Sequence, residues 1–407
     1  MNEVFRPHKA TQVGEFITWA ATEEMPLSIV GRNTKSAIGY SVRSGHTLDM
    51  SNISGITLYE PEELIIQAKA GTPIAEIEST LAEKNQILAF EPPDFGPLLD
   101  TAQGDGSIGG ALACNLSGPR RFKVGAARDH FLGTLAYSGR GELFKAGGRV
   151  VKNVTGYDLC KVIAGSYGTL AVMTDVTVKV LPAPEIIRTV LISSFDDEGL
   201  NIMTQGILSA LEISGAAHIP ETLASSSSID YVARSNGALT ALRIEGPSQS
   251  VTDRCATLRK LFATYGETEE LHTHNSKKFW NEIGSVHPFV GQPRVVWRIS
   301  VPPQSGTQAG TLIHKEANLT CYYDWGGGLL WAAGQPNGDG GAAAIRNAVA
   351  QAGGGHATLI KAPESLRSKV AIFQPQEPAV GALQARIKTA FDPKNILNRG
   401  RFTVNCR

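Results

Sequence analysis

The sequence lacks a Cys-x-x-Cys pair, and this absence argues against the two kinds of metal centre that thiolates hold. Its 407 residues include five cysteines that lie far apart: Cys114, Cys160, Cys255, Cys321 and Cys406. Since zinc sites and iron–sulfur clusters use closely spaced cysteines, we expect neither within this chain. The odd number fits free thiols in a reducing compartment.

The sequence also lacks an excess of one charge and any long apolar run. Lys and Arg number 38, and so do Asp and Glu. Because a protein that binds nucleic acid through its phosphates needs a basic surface, we do not expect a nucleic-acid partner. No apolar run approaches the ~20 residues that cross a bilayer. Residues 1–11 have no apolar core of a signal peptide. We therefore expect a cytoplasmic protein, with membrane attachment only through a partner.

Apolar periodicity predicts an α+β fold in more than one part. A stripe at i, i+3, i+4 and i+7 predicts the first helix: Val13, Phe16, Ile17 and Ala20. Two prolines, Pro182 and Pro184, indicate a boundary. Beyond them strands and helices alternate, which is typical of an antiparallel sheet with helices on one side. We expect a first domain, a second α+β domain and a tail: 1–182, 186–375 and 380–407.

Glycine concentrates in segments that predict close approach of the backbone to a ligand. Of 43 glycines, many lie in the segments 104–118 and 147–170. Glycine permits conformations and approaches that a side chain would block. Two such segments in one domain favour one extended ligand over two small ones.

One of these segments matches a dinucleotide-binding pattern without its context. Residues 104–109 read Gly-Asp-Gly-Ser-Ile-Gly, and Asp129 follows at the distance that the Rossmann fingerprint requires. That fingerprint needs an apolar strand just before it. Residues 91–97, Glu-Pro-Pro-Asp-Phe-Gly-Pro, are not a strand. A Rossmann site is therefore not expected.

The loop that follows the strand Leu27–Val30 has the composition of an anion site. Successive N–H groups in such a turn can form an anion-binding nest. Arg32 and Lys35 add positive charge, and Thr34 and Ser36 add hydroxyl groups. A pyrophosphate would suit the loop; a polar surface turn is the alternative. Residues 107–110 could wrap the same group, or their glycines could serve tight packing.

Each of two further groups of side chains could be either a binding site or part of the solvent-exposed surface. The cationic cluster Arg120, Arg121, Lys123 and Arg128 could bind a carboxylate, or it could form a solvated face. His272 and His274 would lie on the same side of a strand, as a metal pair would. Because no further ligand is evident nearby, we interpret them as surface histidines and predict no metal site.

Four segments together resemble the FAD-binding domain of the vanillyl-alcohol oxidase/PCMH family: 48–56, 107–111, 125–130 and 151–158. Within that family, two segments resemble the FAD-binding (E) subunits of glycolate oxidases: Gly148-Arg-Val-Val-Lys-Asn-Val-Thr-Gly-Tyr-Asp-Leu159 and Gly354-Gly-His-Ala-Thr-Leu359. The resemblance implies a two-part PCMH-type FAD-binding domain, an α+β cap domain over the flavin ring, and a tail that returns to the FAD domain near residues 395–400.

The resemblance also implies non-covalent FAD and a set of binding residues. The residues expected to bind FAD are Gly31, Arg32, Asn33, Thr34, Lys35, Ser36, Ser107, Ile108, Gly109, Gly110, Asn115, Gly118, Gly168 and Val172. The residues expected at the reacting centre are Arg120 and Arg121, facing a substrate carboxylate or the charge of the reduced flavin. Four residues of the second glycine segment are candidates to face the ring without an assigned role: Lys152, Asn153, Tyr157 and Asp158.

The implied activity is oxidation of glycolate, a 2-hydroxy acid, to glyoxylate, with electrons passed through the flavin to a second flavin subunit and an iron–sulfur subunit. Attachment to the inner membrane would be peripheral, through those partners. Metal-assisted relatives carry a histidine-rich stretch in the cap, but residues 335–341 here contain no histidine. This difference favours an accessory flavin subunit. A complete flavoenzyme for another alcohol or hydroxy acid, and a structural subunit with a degenerate flavin site, remain alternatives.

Overall fold

The computed structural model describes residues 3–42, 44–149, 156–291 and 293–402. The chain divides into two compact units. The first unit comprises Met1–Leu116, Gly125–Ala183 and Pro375–Arg407. The second comprises Ser117–Val124 and Pro184–Gln374. The short segment 117–124 therefore belongs to the second unit, although it lies in the sequence between two parts of the first.

The first unit contains a small parallel sheet and a larger antiparallel one. The strands of the parallel sheet are, in spatial order, Glu3–Phe5, His46–Asp49 and Leu27–Val30. The strands of the antiparallel sheet are Ile56–Glu60, Ile65–Lys69, Ala171–Lys179, Phe131–Ser138 and Leu143–Gly147. A further pair joins Gln86–Ile87 to Leu181–Pro182.

Helices pack on both sheets of this unit. They are Ala10–Thr22, Ile74–Ala82, Ile108–Ala113, Ala127–His130, Leu159–Ile163 and Pro378–Phe391, with 3-10 turns at Met50–Asn52 and Pro61–Glu63. The predicted stripe of the first helix is buried at Val13, Ile17 and Ala20, which pack with Leu27 and Leu48 of the parallel sheet. Burial of these side chains, at about 25 cal/mol per Å² of apolar surface, holds the helix on the sheet.

The second unit is one antiparallel sheet with helices. Its strands are, in spatial order, Thr268–Leu271, Ile186–Ser194, Ala238–Gly246, Gly215–Ile219, Thr320–Asp324, Leu329–Gly334, Val295–Ser300 and His356–Lys361. Its helices are Arg121–Val124, Gly199–Leu208, Glu221–Ala224, Asp230–Ala233, Ser248–Phe262, Thr273–Gly284, Gly306–Ala317, Ala342–Gln351 and Glu364–Arg367; its 3-10 turns are His287–Phe289, Pro303–Ser305 and Trp325–Gly327. The predicted α+β class is thus confirmed.

Two local predictions were wrong. His272 and His274 do not share the face of a strand, because the strand ends at Leu271 and His272 is the N-cap of the helix that follows. The sequence Thr72-Pro73 also predicts a helix that Thr72 caps and Pro73 begins, but the helix begins at Ile74 and Pro73 is its N-cap. The Thr72 hydroxyl instead accepts from the Gly55 amide at 2.9 Å and donates to the Lys69 carbonyl at 2.6 Å.

No helix in the described part of the chain is long and apolar enough to cross a membrane. Within the same residues, no group of three or more His, Cys, Asp or Glu side chains is arranged to hold a metal ion.

Candidate functional site

A cavity of about 710 Å³ opens in the first unit where the parallel sheet, the helix Ile108–Ala113 and the tail meet. Of the residues expected to bind FAD, those that line it are Gly31, Arg32, Asn33, Thr34, Lys35, Ser36, Ser107, Gly109, Gly110, Gly168 and Val172. The structure therefore brings the three expected loops to one cavity. Asn398, which also lines the cavity, lies in the tail segment 395–400 that was expected to return to the FAD domain. Other lining residues were not among the expected binding residues, for example Met50, Cys114, Tyr167 and Arg401.

The loop after the strand Leu27–Val30 supplies main-chain donors. Asn33 lies in the left-handed region with φ of 58°, a conformation that asparagine tolerates. The N–H groups of residues 32–35 have no hydrogen-bond acceptor within the described part of the chain. Gly31 allows the loop to approach Ser107, because a Cβ there would lie 2.4 Å from the Ser107 hydroxyl oxygen.

The helix Ile108–Ala113 forms part of the cavity wall, but its first two amides are not free to donate hydrogen bonds to a ligand. The Ile108 amide donates to the Thr72 carbonyl, and the Gly109 amide donates to the Ala70 carbonyl. A Cβ on Gly109 would lie 2.7 Å from that same carbonyl oxygen, so this glycine serves tight packing. Gly110 differs, since a Cβ there would come no closer than 3.1 Å to the Ser107 hydroxyl. Gly110 lines the cavity, and a side chain there would crowd the Ser107 hydroxyl.

The two cations of the loop have different surroundings. Arg32 forms an ion pair with Asp105, and both side chains are partly exposed. Its charge is therefore balanced by a neighbouring carboxylate. Lys35 is only 8% exposed, and its Nζ has a single contact, 3.3 Å to the Thr34 hydroxyl. Burial lowers the pKa of Lys35, against the opposing effect of Cys114, Asp94 and Asp105.

The tail places a second buried cation at the cavity. Arg401 is 7% exposed, and its Nη2 donates to the Lys35 carbonyl at 2.7 Å. Its Nε is buried and has no hydrogen-bond partner. Within the described residues, neither Lys35 nor Arg401 has a carboxylate within ion-pair distance. Burial raises the pKa of the nearby Cys114 thiol, so Cys114 is protonated and does not balance them.

Asn398 fixes the tail against two walls of the cavity. Its Oδ1 accepts from the Ile29 amide at 2.7 Å, and its Nδ2 donates to the Tyr167 carbonyl at 2.9 Å. The Asn398 amide itself donates to the Leu27 carbonyl at 3.0 Å. The tail therefore holds both the end of the strand Leu27–Val30 and the turn before Gly168.

Some expected cofactor residues lie elsewhere. Ile108 is fully buried in the core of the first unit, and the Asn115 side chain accepts from the Arg128 amide at 3.0 Å. Gly118 belongs to the second unit, where its carbonyl accepts from the Trp325 indole at 3.0 Å. Lys152 and Asn153 fall outside the described residues. Tyr157 is 93% exposed, and Asp158 is the N-cap of the helix Leu159–Ile163.

Arg120 belongs to a buried ionic network of the second unit. Its Nη2 lies 2.5 Å from Glu245 Oε1, and Arg243 Nε lies 3.4 Å from the same oxygen. Burial alone would raise the pKa of Glu245, but Arg243 and Arg120 more than offset this and lower it. The Arg243 guanidinium also lies over the Trp280 ring at 4.8 Å. Arg120 therefore has a carboxylate partner within its own unit.

Arg121 lies in a different environment, against an indole that a second arginine shares. The Cζ atoms of Arg121 and Arg298 lie 4.4 Å and 5.0 Å from the centroid of the Trp325 ring. Trp325 has φ of 52°, a left-handed conformation that costs a non-glycine residue of order 1 kcal/mol or more. Burial, then Arg298 and Arg121, lower the pKa of His356. Two guanidinium groups and a neutral imidazole therefore lie in one region of the second unit.

Comparison with known proteins identifies the family. A family model described as "FAD binding domain" matches residues 2–147. The chain is 32% identical over 391 residues to glycolate oxidase subunit GlcE of Escherichia coli (strain K12), covering 95% of each chain. The chain belongs to the GlcE family. A partial match, 27% over 189 residues, covers 46% of this chain and 38% of glycolate oxidase subunit GlcD of Bacillus subtilis (strain 168).

Solved structures show the same fold. 4-Ethylphenol oxidase from Gulosibacter chungangensis, in its isoeugenol complex, matches with a TM-score of 0.70 and 12% identity, over 99% of this chain and 90% of the other. This likeness confirms the PCMH-type FAD-binding fold. The FAD-binding family model and the similarity to GlcE establish the oxidoreductase class and FAD as the cofactor.

The residues around the cavity of the first unit fit this cofactor. Two buried cations without a carboxylate partner match a dianionic diphosphate, since an uncompensated buried charge is costly. The free N–H groups of the 32–35 loop leave donors for an extended ligand.

Proposed function

We propose that this chain is the FAD-binding subunit of a glycolate oxidase that converts glycolate to glyoxylate. The observation that carries the proposal is the similarity to glycolate oxidase subunit GlcE over 95% of both chains. The cavity of the first unit supports it, because its chemistry matches an FAD diphosphate. The buried cations argue against a degenerate flavin site, since without a bound anion they would only destabilise the fold.

In this proposal the cofactor is held by the expected cavity-lining residues of the loops 31–36 and 107–110, by Gly168 and by Val172. Bound FAD supplies a two-electron acceptor for the hydrogen that leaves the substrate carbon as hydride. The proton of the substrate hydroxyl also leaves and needs an acceptor. The electrons then pass through the flavin to partner subunits, which we propose are a second flavin subunit and an iron–sulfur subunit. Such a complex would lie in the cytoplasm, peripheral to the inner membrane.

For the substrate carboxylate we propose Arg121 with Arg298, and not Arg120. Arg120 faces Glu245 in a buried pair, so its charge is already balanced. Arg121 and Arg298 place two cations on one indole, which suits a small carboxylate. His356 beside them lies at the exposed start of the strand His356–Lys361, and desolvation and the charges of Arg298 and Arg121 lower its pKa, so its neutral form can accept the hydroxyl proton.

The function is tested by anaerobic titration with glycolate, followed through the visible absorbance of the flavin. We expect the purified chain to carry FAD and to bleach when its partner subunits are present. Bleaching of the chain alone would indicate a self-contained dehydrogenase. A chain that neither retains FAD nor takes it up would be a structural subunit, and the proposal would be wrong.

The carboxylate site is tested in the assembled complex with steady-state kinetics. Arg121→Met and Arg298→Met should each raise KM for glycolate about tenfold or more, because each removes a charge from a carboxylate. His356→Gln should lower kcat about 100-fold with a small effect on KM. Lys123→Met, an exposed neighbour in the same segment, is the matched control. If KM is unchanged in both arginine variants, the carboxylate binds elsewhere.

A further inference from the structure

The tail of this chain carries a buried cation that the three expected cofactor loops do not include. Arg401 is separated by 366 positions from Lys35, yet its Nη2 donates to the Lys35 carbonyl at 2.7 Å. The Arg401 carbonyl in turn accepts from the Tyr40 amide at 2.9 Å, on the far side of the same loop. Arg401 therefore belongs structurally to the 31–36 loop, although the chain reaches it last.

The side chains of Lys35 and Arg401 are cations without a compensating charge. Both are more than nine-tenths buried and both line the cavity. Among the residues that the structure describes, the buried Arg401 Nε has no hydrogen-bond partner, and the only one of the Lys35 ammonium is the Thr34 hydroxyl. A buried guanidinium and a buried ammonium that have no counter-charge each cost free energy in a low-dielectric site. Their burial becomes favourable only when a ligand of opposite charge lies between or beside them.

A neighbouring arginine provides the contrast. Arg32 lies on the same loop, but it is partly exposed and pairs with Asp105. Asp94, the other carboxylate in this region, accepts from the Gly96 and Gly104 amides. The protein thus satisfies the exposed cation with its own carboxylate and leaves the two buried cations for a ligand.

We propose that Lys35 and Arg401 form a two-cation clamp for the diphosphate of FAD, and that the tail must be in place for the cofactor to be retained. The clamp rests on FAD binding but goes beyond it, because it assigns the anion-recognising charges to a loop lysine and a tail arginine. In this site side-chain cations supplement the free N–H groups of the loop, since the Ile108 and Gly109 amides are already used within the fold.

Asn398 fixes the position of the Arg401 side chain. Its hydrogen bonds to Ile29 and Tyr167 fix the tail three residues before Arg401, and the Arg401 amide donates back to the Asn398 carbonyl at 3.0 Å. The guanidinium is therefore held by a rigid turn and is pre-organised for the anion, which reduces the entropy lost on binding.

The clamp is tested by measuring the Kd of FAD and of ADP for the full-length apo-protein by calorimetry. ADP carries the diphosphate without the flavin ring. We expect Lys35→Met and Arg401→Gln each to raise both dissociation constants in parallel, by about 30-fold or more. Arg401→Lys should recover most of the loss because it restores the charge. Arg401→Gln removes the charge but keeps a side-chain donor for the Lys35 carbonyl. The variant therefore distinguishes the effect of the charge from the effect of this hydrogen bond.

Lys394→Met is the matched control, since this tail lysine forms an exposed ion pair with Glu24. It should change either Kd by less than about twofold. Thermal unfolding of the apo-protein provides the second measurement. Because burying the Lys35 ammonium without an anion costs free energy, apo Lys35→Met should be as stable as the wild-type apo-protein or more stable, with a smaller rise in Tm on adding FAD.

Two outcomes would overturn the clamp. If the variants lose FAD but bind ADP as tightly as the wild type, the cations face the flavin ring and not the diphosphate. If Arg401→Gln and Arg401→Lys bind FAD equally well, the arginine only supports the Lys35 carbonyl. Both measurements are independent of glycolate turnover, so a chain that fails to oxidise glycolate could still support or refute the clamp.

Discussion

Asn398 donates its side-chain amide to the Tyr167 carbonyl over 2.9 Å, and this bond connects the tail to a turn 231 positions away. The same side chain accepts from the Ile29 amide, and Asn398 is only 1% exposed. Its φ of 41° adds a backbone conformation that asparagine adopts more readily than most residues. One side chain thus holds together three segments that border the cavity.

Asn398→Ala should therefore lower both stability and cofactor affinity. The substitution removes the hydrogen bonds that the half-buried Ile29 amide and Tyr167 carbonyl make to Asn398, and we expect a loss of about 2–3 kcal/mol in the free energy of unfolding. Urea unfolding of the apo-protein measures this, and calorimetry with FAD measures the affinity. The control is Asn347→Ala, whose exposed amide contacts Glu316 and whose loss should cost less than about 0.5 kcal/mol. Equal effects of the two variants would contradict the structural role of Asn398.

Two helical glycines should respond to alanine with opposite signs. A Cβ on Gly109 would lie 2.7 Å from the Ala70 carbonyl oxygen, so Gly109→Ala must separate the helix from the strand Ile65–Lys69. We expect a loss of more than about 2 kcal/mol in the free energy of unfolding. Gly381 lies in the helix Pro378–Phe391 with nothing within 4 Å of the added Cβ, and Gly381→Ala should gain about 0.5–1 kcal/mol. A neutral Gly109→Ala would show that the helix can move away without cost.

Much of this fold was predictable because its signals are local. The stripe Val13, Ile17 and Ala20 predicted its helix, and the strand Leu27–Val30 was predicted with the polar loop after it, which lines the cavity. The alternation beyond residue 184 predicted the antiparallel sheet. Each of these features depends on residues within one element, so the period of apolar positions is sufficient to detect it.

What could not be predicted depends on pairs far apart in sequence. Arg401 and Lys35 are distant along the chain, and no local pattern indicates that Arg32 has a carboxylate partner whereas Lys35 has none. The grouping of residues 117–124 with the second unit follows from contacts such as Arg120 with Glu245, which are also long-range. The prediction that His272 and His274 share a strand face was wrong for a local reason. Alternation over three residues cannot distinguish a strand from a helix N-terminus.

The affinity for FAD should depend on pH through Lys35. Burial lowers the pKa of this ammonium in the free protein, so part of the population loses its proton below the usual range for lysine. A bound diphosphate favours the charged form, and binding therefore takes up a proton. As the pH rises above the lowered pKa, the Kd of FAD should increase by up to about tenfold per pH unit. Lys35→Arg, which stays protonated, should flatten the profile; an unchanged profile would place this titration on another group.

Arg120→Met should destabilise the second unit by removing a partner of Glu245. The carboxylate is buried and is held ionised by Arg243 and Arg120, so loss of one cation should cost about 3–5 kcal/mol in the free energy of unfolding. The pKa of Glu245 is lowered on folding, and its stabilising contribution is therefore present above the ordinary pKa of a glutamate and is lost as the pH falls through the lowered value. Urea unfolding of wild type and Arg120→Met at a series of acidic pH values measures both effects. The difference between the two proteins should shrink as Glu245 becomes protonated. Lys123→Met, at an exposed cation of the same segment, is the control and should change neither the free energy of unfolding nor its dependence on pH. If the difference between wild type and Arg120→Met does not change with pH, the packing of the arginine, and not its ion pair, stabilises the unit.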